Sequence, residues 1–139
     1  MIHDLWLNLP SKNLEKTRAF YQALGFIYNE KSSHAGMASF TAPGKVNIVV
    51  CFFPPEAIAK FSGNTVTDTE TSNEILISLG ANSKEDVDAI AKLVQESDAG
   101  GKLYSEPIDV DGWMYGCGFC DPDGHRWNPV YMNFDKMPK

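Results

Sequence analysis

The 139-residue chain lays out the same plan twice. Each half opens on an alternating strand, His3–Leu9 and then Glu74–Leu79. Leucine or isoleucine recurs at every second position, 5, 7 and 9 in one half and 75, 77 and 79 in the other. Four residues beyond Leu9 and Leu79 stand Asn13 and Ser83, both good helix N-caps. Leu14, Thr17, Phe20, Tyr21 and Leu24 then follow at helical spacing, as do Val87, Ile90, Ala91 and Val94. Gly25 and Gly100–Gly101 stop the two helices. Three strand-like segments close each half. A duplicated β-α-β-β-β unit leaves few folds open.

Each half alone would be marginal, so the halves are expected to make one domain of two modules. The boundaries read as about 1–53 and 73–135, joined by a polar linker over 54–72 in which Glu56–Phe61 can form a short helix. The first module's later strands are Phe26–Asn29, Met37–Thr41 and Val46–Phe53, with a turn at Ala42–Lys45. In the second, Lys102–Val110 contains Pro107 and reads as an edge or bulged strand. Asp111–Gly112 turns the chain into Trp113–Cys120, and Asp121–Gly124 turns it into His125–Asn133. The class is α+β. Two mixed sheets carry helices on their leucine faces, and the opposite faces form an open, barrel-like cleft.

Charge excludes one class of partner. A net charge of −6, with no basic cluster interleaved with aromatics, argues against nucleic acid. No apolar run is long enough to span a membrane, and the N-terminus lacks a secretory pattern. With three cysteines, this points to a cytoplasmic, thiol-reduced protein. Cys117 and Cys120 spell C-x-x-C, but residues three apart on a strand face opposite ways, so they read as ordinary strand cysteines.

Leu7-Asn8-Leu9-Pro10, Asn13-Leu14-Glu15-Lys16-Thr17, Phe20-Tyr21, Leu24-Gly25-Phe26 and Asp121-Pro122-Asp123-Gly124-His125 occur in that order. Together they resemble the vicinal oxygen chelate superfamily, the glyoxalase, bleomycin-resistance and dioxygenase group. Ala99-Gly100-Gly101, Trp113-Met114-Tyr115-Gly116 and Trp127 through Tyr131-Met132 look most like a glyoxalase-like bacterial branch. The resemblance implies paired βαβββ modules around an active site, often in a homodimer.

It also implies a divalent metal, held by two histidines and two glutamates on four strands. Counted from the helix caps and the Asp-Pro-Asp-Gly turn, those positions fall on Trp6, Ile48, Leu76 and Asn128. None is an imidazole or a carboxylate, so no metal cofactor is expected there. The remaining candidates have plainer explanations. His3 lies at the chain's start, His34 in a polar loop, and His125 points away from Asn128. Glu74 begins a strand as a solvated charge, and Asp121 and Asp123 bond their own turn.

The faces turned away from the helices carry Trp6, Asn8, Leu76, Ser78, Arg126 and Asn128. Pairing the last two strands with Cys117 opposite Asn128 and Phe119 opposite Arg126 adds Cys117, Tyr115 and Trp113 to that face, in a register a one-residue slip would reverse. An aromatic cleft with few polar groups suits a small organic molecule, and Arg126 could pair with an anion. The expected function is metal-free binding of such a ligand between the modules. The alternatives are a superfamily enzyme (a glyoxalase-type lyase or isomerase, an extradiol dioxygenase or a thiol transferase) and a structural dimer with a filled cleft.

Overall fold

Side-chain caps begin both long helices. Asn13 Oδ1 accepts from the Lys16 N–H at 3.0 Å and Ser83 Oγ from the Asp86 N–H at 3.1 Å. Each cap satisfies one of the donors a helix start leaves unpaired. In this computed structural model, which describes residues 1–44 and 47–139, the helices are α1, Leu14–Ala23, and α3, Lys84–Glu96.

The chain divides into two compact units, Met1–Asp68 and Thr69–Lys139. The first holds β1 (Trp6–Pro10), α1, β2 (Ile27–Tyr28), β3 (Ala38–Thr41), β4 (Val49–Phe53) and α2 (Pro55–Ser62). The second holds β5 (Leu76–Gly80), α3, β6 (Lys102–Val110), β7 (Met114–Cys120) and β8 (Arg126–Met132). The strand orders are β1-β4-β3-β2 and β5-β8-β7-β6. In each sheet the first strand pairs in parallel with the last, and the remaining pairs are antiparallel. Both sheets are therefore mixed, and neither closes into a barrel.

The opening strands start later than the alternation suggests. Residues 1–5 lie outside β1, and Leu5 is 73% exposed. The parallel partner begins at Val49, which pairs Trp6, so the residues before Trp6 have no strand to join. For the same reason β5 starts at Leu76, opposite Arg126, and not at Glu74. Lys45 and Val46, assigned from sequence to a turn and a strand, lie outside the described residues.

Each unit has its own core under its helix. In the first, the fully buried Tyr21 sits among Phe20, Phe26, Phe40 and Phe52, with ring centroids 4.8–5.5 Å apart. In the second, Val87 and Ala91 of α3 pack on Cys117, and Phe119 stacks on Trp127 at 6.1 Å. Burying each such ring or branched side chain contributes about 1.5–3 kcal/mol, and aromatic pairs add about 0.5–1.5 kcal/mol.

β6 is an edge strand with two register shifts, Leu103/Ser105 and Ser105/Ile108, the second flanking Pro107. Proline lacks the ladder donor, so the chain bulges there. The β6–β7 turn has Asp111 at φ 53° and Gly112 at φ 74°, the two positive values a tight hairpin turn requires.

Candidate functional site

The open face of the second sheet carries a hollow of about 300 Å³. Gly116, Cys117 and Gly118 form its floor, and Leu76, Ile108, Val110, Met114 and Val130 line it with apolar surface. Tyr104, Ser105 and Asn128 supply its polar side chains. Beside the hollow, two strand residues without side chains let other groups approach the sheet closely. A Cβ on Gly116 would come 2.9 Å from the Pro129 carbonyl oxygen, and one on Gly118 would overlap Cε2 and Cζ of Tyr104.

The β7–β8 register decides which side chains face the hollow. Gly116 pairs Val130, Phe119 pairs Trp127 and Cys120 pairs Arg126. This is one residue away from the register expected from sequence. The slip turns Tyr115, Cys117 and Phe119 to the helix side, because side chains alternate along a strand. Tyr115 there donates its hydroxyl to Asp88 at 2.6 Å and packs on the core, which raises its pKa above the ordinary tyrosine value. The Cys117 thiol is buried against α3, and burial pushes its pKa up to about 11. A thiol so placed is not a nucleophile near neutral pH. What Cys117 offers the open face is its carbonyl, which accepts from Asn128 Nδ2 at 2.9 Å.

Four of the anticipated residues do come together. Leu76 lies opposite Arg126 and Ser78 opposite Asn128. Ser78 Oγ donates to Asn128 Oδ1 at 3.4 Å, so the Asn128 amide is held at both ends. Leu76 and Asn128 line the hollow, while Ser78 and Arg126 flank it. Trp6 and Asn8 stand at the matching places on the first unit's sheet, where Trp6 pairs Val49 and is 61% exposed.

Tyr104 is one of several lining residues that the sequence reading missed. Its ring lies across Gly118, its hydroxyl donates to the Trp127 carbonyl at 3.4 Å, and the Arg126 guanidinium sits 4.9 Å from its ring centroid. Burial raises the Tyr104 pKa, opposed by the Arg126 charge, so the phenol stays protonated and a donor at neutral pH. The signal was in the sequence. Glycine at alternate strand positions marks a close approach by another group.

A family profile, described as the Glyoxalase/Bleomycin resistance protein/Dioxygenase superfamily, matches residues 5–128. The chain belongs to this superfamily. Among solved structures, a hypothetical protein from S. aureus is 35% identical, with 94% of each chain covered and a TM-score of 0.78. The fosfomycin resistance protein FosX from Listeria monocytogenes, complexed with Mn(II) and sulfate, is 20% identical over 98% of this chain and 95% of its own, at a TM-score of 0.67. The bleomycin resistance determinant encoded on the transposon Tn5 is 16% identical over 96% of this chain and 100% of its own, at 0.62. The last two likenesses show the fold alone. The curated proteins give no match.

The superfamily's metal can now be tested against the donors present. Trp6 pairs Val49 as Leu76 pairs Arg126, and Asn8 pairs Cys51 as Ser78 pairs Asn128. The first-unit counterpart of Asn128 is thus Cys51, not Ile48, which precedes β4. The four positions become Trp6, Cys51, Leu76 and Asn128. A buried thiol and an amide whose oxygen already accepts from Ser78 are their only donors. Among the described residues, no three His, Cys, Asp or Glu side chains gather where they could hold an ion. This set does not fit the hard or borderline divalent cation the superfamily uses.

Proposed function

We propose that the protein binds a small, mainly apolar organic molecule in the hollow of the second sheet, without a metal cofactor. One observation carries this reading: a hollow of about 300 Å³ on the sheet face, lined chiefly by apolar side chains. Ligand sites of this kind are concave and apolar, with a few fixed polar groups. Here Asn128 is such a group, fixed by Ser78 and the Cys117 carbonyl. The relatives named for bleomycin and fosfomycin resistance agree with small-molecule binding on this fold, although fold alone does not transfer an activity. No side chain of the hollow is an activated nucleophile or a carboxylate base, so binding is favoured over turnover.

The test is a two-dimensional amide NMR titration with N-phenyl-1-naphthylamine, a neutral apolar probe, on protein dialysed against a chelator. The expected result is shifts at the Gly116 and Gly118 amides and at the Asn128 side-chain amide. Absence of these shifts, or their appearance only after zinc or manganese is restored, would overturn the reading.

A further inference from the structure

We infer that the molecule taken by this hollow carries one anionic group, and that Arg126 is the residue that reads it. The inference rests on the binding reading above and narrows it to a class, an apolar body bearing a carboxylate, sulfonate or phosphonate.

Arg126 is half-buried, where the other described Lys and Arg residues are exposed. The net charge is −6, with 18 Asp and Glu against 12 Lys and Arg. Carboxylates are abundant, yet none of the described ion pairs engages Arg126. None of the residues lining the neighbouring hollow bears a carboxylate either. The open face therefore presents a positive charge on an otherwise negative protein.

The guanidinium is also held in place. Arg126 is half-buried, its backbone is locked between Leu76 and Cys120, and its side chain packs against the Tyr104 ring. Packing on a ring occupies one face of the planar group and leaves its N–H edge available for a bidentate contact. A carboxylate or sulfonate matches that edge with two parallel hydrogen bonds. Apolar neighbours strengthen such a pair relative to one in open water. Asn128 cannot do the same work, because its amide is neutral and one of its N–H groups is already given to the Cys117 carbonyl. Arg126 lies beyond the lining of the hollow, beside Tyr104. The apolar body would lie against Leu76, Met114, Val130 and the Tyr104 ring, with the anion at the rim.

Two dyes that share a body separate charge from shape. 8-Anilinonaphthalene-1-sulfonate carries a sulfonate on the skeleton of N-phenyl-1-naphthylamine. Fluorescence titrations of both are made on the wild type, Arg126→Gln and Arg126→Lys, with thermal melts confirming that the variants are folded. The sulfonate should bind the wild type about tenfold or more tightly than the neutral dye, the scale of one charge-assisted contact. Arg126→Gln should abolish that preference and leave the neutral dye within about twofold, as expected for lost charge alone. Arg126→Lys should keep part of it, and added salt should weaken only the sulfonate. Equal binding of the two dyes to the wild type, or an unchanged preference in Arg126→Gln, would overturn the inference while leaving the hollow as a site. Failure of both dyes to shift the Gly116 and Gly118 amides would instead remove the underlying reading, and this inference with it.

Discussion

The two sheets share a register and differ in what stands on their open faces. In the first, Ser39 faces Cys51 and is buried in a polar network. Asn29 Nδ2 donates to Ser39 Oγ at 3.2 Å, Thr41 Oγ1 donates to Asn29 Oδ1 at 3.2 Å, and the Ser39 N–H donates to Ser33 Oγ at 3.0 Å. In the second, continuing the register puts Gly118 where Ser39 stands in the first. The backbone plan is the same, yet one face is filled by hydrogen-bonded side chains and the other is left hollow. A duplicated scaffold can thus carry one filled face and one hollow face with no change of fold.

The comparison can be broken at several depths. The largest effects belong to the separate cores. Tyr21→Ala in the first unit and Trp127→Ala in the second should each cost about 3–5 kcal/mol in urea unfolding. Equal midpoints for wild type and variants would mean the cores are misassigned. Next comes making the second face like the first. Gly118→Ser must displace the Tyr104 ring, which sits at the end of a side chain on an edge strand. Gly116→Ala instead presses on the Pro129 carbonyl, which is backbone. Overpacking of this kind costs about 1–3 kcal/mol, and Gly116→Ala should lie nearer the top of that range. Gly118→Ser should lie nearer the bottom and weaken binding of the naphthylamine probe. The reverse order in denaturation would show that Tyr104 is not free to swing.

Smaller effects sharpen the symmetry itself. Asn13→Ala and Ser83→Ala remove equivalent caps, and each should cost about 1 kcal/mol. A large inequality would show that the two helices are not anchored alike. The smallest effect belongs to one exposed ion pair of the second unit. Hydrogen bonds from Lys84 and the Gly112 N–H hold the exposed Asp109 carboxyl below the ordinary carboxylate value, while the same carboxylate raises the Lys84 pKa. Lowering the folded-state pKa stabilises the protein only above the ordinary value, and that gain is lost as pH falls through the folded-state value. Melts of Lys84→Ala and wild type should differ slightly near neutral pH and converge in acid. A difference that persists in acid would assign the effect to something other than this pair.

Much of the fold was legible in local chemistry. The alternation of β1 and β5, the caps Asn13 and Ser83, and the bulge beside Pro107 each follow from one residue type at one position. The site was harder to read, because facing depends on parity and parity on a register fixed by turn geometry. One residue in the Asp121–Gly124 turn moved Tyr115 and Cys117 from the open face to the core. The same sensitivity placed Ile48 where Cys51 stands, since counting from a turn ignores the different connection lengths before β4 and β8. Tyr104 escaped because the register shifts of β6 break its alternation, although Gly116 and Gly118 announced that something approaches there.

Elemental analysis of protein purified without chelator tests most directly whether this scaffold works without its superfamily's ion. Far less than one equivalent of nickel, zinc, manganese or iron per chain is expected, with the Asn128 side-chain amide signal unchanged by a chelator. One tightly held equivalent, whose removal shifts that signal and abolishes probe binding, would contradict it.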